Sequence, residues 1–156
     1  MDQRRRVSGR RCRGDQGTAL VEMAFILVPL CLLLLGIIVY GYLMSFRQNM
    51  TQAAAEGARA GAIAPPDQTP STHFIAINQA TDATNQALES FGEGCGNGRT
   101  TCLIEINPCP APSTEQCVTV TVTYDYENNP LMPDIPLVSA AIPAEFVSKS
   151  TAQINQ

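Results

Sequence analysis

Four cysteines, Cys95, Cys102, Cys109 and Cys117, fall in one short stretch, and the chemistry open to them is disulfide bonding or metal ligation. Their C-x₆-C-x₆-C-x₇-C spacing lacks the tight knuckle of structural zinc sites, so disulfides are expected and a metal is not. Four cysteines allow three pairings. Cys95 with Cys102 and Cys109 with Cys117 is the simplest by chain closure, while strand geometry leaves a crossed arrangement open. His73 is the sole histidine and lies in a proline-containing linker, where a solvated loop residue is expected. No motif sets a serine or cysteine nucleophile beside a base. Gly92 to Gly98 is glycine-rich, yet it lacks a phosphate-binding lysine and does not open a helix after a strand. These residues point to no enzyme and no cofactor.

Glu22 is the other group whose type and place imply a function. It is the one charge between Gly17 and Phe46, GTALVEMAFILVPLCLLLLGIIVYGYLMSF. A carboxylate at the centre of a membrane helix costs roughly 2.5 to 3.5 kcal/mol and less near the interface, so Glu22 needs a headgroup-level position or a compensating partner.

The element that positions Glu22 is a membrane span. From Met23 to Phe46 the chain is uncharged, and as a helix it reaches about 36 Å against a hydrocarbon core of about 30 Å. Residues 1 to 16 hold six arginines against Asp2 and Asp15, a charge of +4, whereas the remainder carries −8. Short basic flanks stay in the cytoplasm, which places residues 1–17 inside as a basic leader, 18–46 across the bilayer, and the rest outside. Topology and lipid headgroups account for the arginines, so nucleic acid is not an expected partner. Cys12 and Cys31 lie before and within the span, and the four clustered cysteines lie on the exported side, where disulfides persist.

Residues 1–17 read as disordered. Helix is expected to start between Asp15 and Thr18, either of which can cap it, and Pro29 predicts a kink near Phe25 to Pro29. Residues 47–64 extend the same helix outside the membrane, for about 45 residues in all. There Ala53, Gly57 and Gly61 recur every fourth residue and form a stripe on which another backbone can approach closely. Glu56 and Arg59, at i and i+3, suit a surface pair. Residues 65–73 are a linker. The segment 74–156 reads as a small disulfide-stabilised α+β domain, with a second helix capped by Thr72 and stopped at Gly92 or Gly94. Its seam is expected to include Ile77, Ala80, Ala87, Leu88 and Phe91. TCLIEIN and CVTVTVTYDYE form a hairpin, the latter alternating Val118, Val120, Val122 and Tyr124 with threonines, and AEFVSKSTAQI supplies a third strand of a short antiparallel sheet.

A basic leader, then Gly17, four residues, Glu22 and an apolar helix resembles the prepilin-peptidase site of type IV pilin-like proteins. Over residues 14 to 62, including the Val21-Glu22 pair, Pro29 and Glu56-Gly57-Ala58-Arg59, the chain is similar to the TadE-like family of bacterial tight-adherence (Flp) pilus assembly proteins. Met23 stands where processed members typically carry Phe or Tyr. The resemblance implies a minor pseudopilin with a pilin-like fold, single-pass in the bacterial inner membrane with its N-terminus inside. Its implied processing-site residues are Gly17, Thr18 and Glu22. Its implied partners are the lipid bilayer, other pilus or pseudopilin subunits, assembly-platform membrane proteins and a prepilin peptidase. A membrane-tethered binding or sensing module is the alternative class.

Overall fold

The computed structural model describes residues 15–66, 73–112, 115–132 and 142–154. The stretch with no helix stop forms one element, α1, Asp15–Ala62, 48 residues long. Its helical assignment continues through Pro29, whose missing N–H removes one backbone bond. Residues 1–14 of the basic leader and Thr72 lie outside the described residues.

The chain divides into two units, the first ending at Tyr40 and the second running from Gly41 to Gln156. In the first, every residue of α1 from Gly17 to Leu35 is exposed, apolar side chains included. A helix long, apolar and exposed on all sides is suited to lipid.

The second unit is a small α+β domain. Its second helix, α2, spans Phe74–Leu88. It is followed by a 3₁₀ turn at Glu89–Phe91 that Gly92 closes in the left-handed region. The strands are β1, Thr100–Pro108; β2, Gln116–Asp125; and β3, Glu145–Gln153. They form an antiparallel sheet in the order β1-β2-β3. In β2, Val118, Val120, Val122 and Tyr124 all point to the buried face, as strict alternation requires. Each buried valine contributes about 1.5 to 3 kcal/mol.

The outer part of α1 supplies the other wall of this core. Leu43, Phe46, Met50, Ala53, Ala54, Gly57, Ala58, Gly61 and Ala62 are buried and recur at helical spacing. Phe46 meets Phe91, Tyr124 and Phe146 edge-on, with ring centroids 5.9, 4.9 and 6.3 Å away. The seam of α2 is Ala76, Ala80, Thr84 and Leu88, so it includes a threonine and leaves Ile77, Ala87 and Phe91 only half-buried. His73 stands at the α2 N-terminus, half-buried and at φ 42°, with no side-chain cap bond. It is therefore a helix-boundary residue, where the sequence suggested a solvated loop.

The sulfurs bond as Cys95–Cys102 and Cys109–Cys117. The first ties the loop after α2 to β1. The second closes the β1–β2 hairpin, where Cys109 N–H also donates to the Glu115 carbonyl at 2.8 Å. Closing loops this short removes denatured-state entropy worth about 2.5 kcal/mol each.

Candidate functional site

Three groups of residues on α1 could serve assembly, and they differ in what surrounds them. Gly17, Thr18 and Glu22 lie in the first two turns and are exposed. The Gly17–Thr18 bond thus lies in the first turn of α1. No neighbouring atom lies within 4 Å of where a Gly17 Cβ would be.

Ala53, Gly57 and Gly61 are buried, and what they meet is the chain's own domain. A Cβ at Gly57 would land on the Thr84 hydroxyl and sit 3.1 Å from the Ala80 carbonyl. At Gly61 it would stand 3.0 Å from Val118 Cγ1, 3.2 Å from the Ala76 carbonyl and 3.2 Å from Ala80 Cβ. The two glycines let α1 touch the α2 backbone and the sheet together. Thr84 tolerates this dry contact because its hydroxyl donates to the Ala80 carbonyl at 2.7 Å.

Glu56 and Arg59 flank Gly57 and Ala58 but point outward, both exposed. Among the described residues they form no ion pair, with each other or with anything else. The expected surface pair is therefore not made within the chain.

A polar cluster that sequence reading did not find lies in the loop after α2. Glu93 is buried, and its carboxylate accepts from Asn97 Nδ2 at 2.7 Å and Thr100 Oγ1 at 3.0 Å and pairs with Arg99 at 3.3 Å. Asn97 in turn accepts from the Arg99 and Thr100 N–H groups at 3.0 and 2.8 Å. Every acceptor is occupied, which marks a loop clamp more than a reactive carboxylate. Nearby, burial pushes the Tyr124 phenol above its usual range, with the negative charge of Glu93 adding to the effect. Its hydroxyl donates to the Asn129 carbonyl at 2.9 Å. Gly-rich sequence around an E-x₃-N-x-R-T run was the only available signal. Among the described residues, no group of three or more His, Cys, Asp or Glu side chains could hold a metal.

The element that remains is α1 itself: an exposed glycine and glutamate at its start, an exposed apolar length, and a glycine-grooved outer part. Residues 17–59 match the family model of TadE-like proteins. The match begins at Gly17 and ends at Arg59, so it follows α1 and stops short of α2 and the sheet. No curated protein and no solved structure matches the chain. The TadE-like segment supports a protein associated with the tight-adherence pilus, and one apolar helix of the chain is long and apolar enough to span a membrane.

Proposed function

We propose that the chain is a non-enzymatic, membrane-anchored pseudopilin-like subunit for assembly of a tight-adherence (Flp) pilus or a related secretion apparatus. The observation that carries this reading is the TadE-like match from Gly17 to Arg59, which takes in the exposed apolar length of α1 and most of its buried outer part. The arginine flank keeps the N-terminus in the cytoplasm, which puts the disulfide-bonded domain outside the inner membrane.

Processing would act at Gly17–Thr18. Cutting that bond removes the basic leader and creates an α-amine at Thr18, one helical turn from Glu22 at i+4. A carboxylate at the edge of an apolar layer is stabilised by a cation, and the amine of a neighbouring subunit supplies one. Partners are therefore other pilus or pseudopilin subunits, the assembly platform, and a prepilin peptidase. Mass spectrometry of the chain co-expressed with its own peptidase tests this. A species beginning at Thr18 is expected. Cleavage should be slowed by Gly17→Ala and stopped by Gly17→Leu, and Glu22→Ala should insert normally but lower pilus output. A chain that stays intact from Met1 to Gln156 while pili form would overturn both the cleavage and the amine pairing.

A further inference from the structure

An open groove of about 380 Å³ runs along the outer part of α1, lined by Met44, Arg47, Gln48, Thr51 and Gln52. These positions follow i, i+3, i+4, i+7 and i+8, so they form one stripe of the helix. We infer that this groove seats the headgroup of an anionic, hydroxyl-bearing phospholipid. The inference rests on the reading of α1 as a membrane span and is independent of any role in a pilus.

Position is the first argument. Arg47 is the first charged residue after Glu22, so it stands where the charge-free length of the helix ends. Tyr40 and Tyr42, just before it, are exposed, as interfacial aromatic residues are. The groove therefore lies at headgroup depth, with Met44 toward the acyl region and Gln52 toward water.

Chemistry is the second. Among the described residues the Arg47 guanidinium has no ion pair, and the Gln48 and Gln52 amides have no hydrogen-bond partner. The Thr51 proton is already committed, donated to the Arg47 carbonyl at 2.9 Å. An unpaired guanidinium matches a phosphate through two parallel N–H donors. Two primary amides offer both donors and acceptors, which suits a glycerol hydroxyl. A choline or ethanolamine head brings its own cation, and the lining has neither the carboxylate nor the aromatic face that would hold one.

The test uses the full chain, purified in detergent, delipidated, and titrated with phosphatidylglycerol or phosphatidylcholine while native mass spectrometry counts the lipid retained. Phosphatidylglycerol should be retained about fivefold over phosphatidylcholine, the contribution of one interfacial arginine. Arg47→Gln should abolish the preference, Arg47→Lys should keep part of it, and Arg59→Gln, farther along the helix, should leave it intact. Inorganic phosphate at the lipid concentration should not compete. Equal retention of the two lipids, a preference that survives Arg47→Gln, or full displacement by phosphate would each overturn the seat. Alkaline carbonate washing of native membranes reports the span separately. A chain that washes off overturns the span and the seat together, and one that stays without a lipid preference overturns the seat alone.

Discussion

One helix carries two lengths built on different physics, and its glycines show the contrast most directly. At Gly36 an added Cβ would meet nothing within 4 Å, whereas at Gly57 and Gly61 it would press on Thr84, Ala80, Ala76 and Val118. The first length is apolar and exposed on every side, a pattern that suits lipid, which solvates any apolar shape. In the second, shape decides: alanine and glycine bury little surface themselves but let α1 approach α2 and the sheet closely. A glycine in a helix costs roughly 1 kcal/mol relative to alanine, and only in the outer length is that cost visibly offset by contact.

The largest effect that can break this contrast is a bulky side chain placed on each side of it. Gly57→Leu must displace both the Thr84 hydroxyl and the Ala80 carbonyl, which are bonded to each other at 2.7 Å. Overpacking and an orphaned buried hydroxyl together should cost about 4 kcal/mol, enough to unfold a domain of marginal stability. Gly36→Leu should insert and melt like the parent. Thermal melts of the purified full chains in detergent, followed through the β-sheet circular dichroism signal, compare the two. Equal melting temperatures would show that α1 does not rely on its glycines.

A second comparison removes bulk in place of adding it. Phe46→Ala should destabilise the domain by about 3 kcal/mol, because the ring is fully buried among Phe91, Tyr124 and Phe146. Phe25→Ala, at an exposed residue, should leave the urea midpoint of the domain unchanged. If both variants lowered the midpoint alike, the two lengths would form one cooperative unit and the distinction would collapse.

What the sequence revealed follows the same division. The long apolar helix was legible because its composition is uniform, as a span in lipid would require, and β2 was legible because alternating Val and Thr state which face is buried. The seam of α2 was misread, since Thr84 looks polar and its burial depends on a remote glycine opposite as well as on a carbonyl one turn back. Local disulfide pairing was favoured by chain closure, and the register supplies the physical reason. Cys102 stands opposite Val122, and Cys117 opposite Asn107, so these two cysteines cannot meet across the hairpin. In the candidate site, the Gly17 to Glu22 spacing could be read directly because it is contiguous. The Glu93 clamp could not, because its four side chains converge only after Gly92, Gly96 and Gly98 turn the chain through positive φ.

The smallest expected effect sharpens the contrast by pH. Tyr124 lies in the aromatic cluster that holds the outer length of α1, and burial first, then the charge of Glu93, raise its pKa above 10.0 while Arg99 works against them. The folded domain therefore disfavours the phenolate. The unfolded chain releases that proton near pH 10, so the stabilising difference is complete below that value and is lost as pH rises through it toward the folded pKa. Urea midpoints should thus fall as pH rises above about 10. Tyr124→Phe should remove the part of that slope due to this residue. At neutral pH it should cost about 1 kcal/mol for the lost hydrogen bond to the Asn129 carbonyl. An alkaline slope that Tyr124→Phe leaves unchanged would place the titrating group elsewhere and release Tyr124 from the role of ordering the contact between α1 and the sheet.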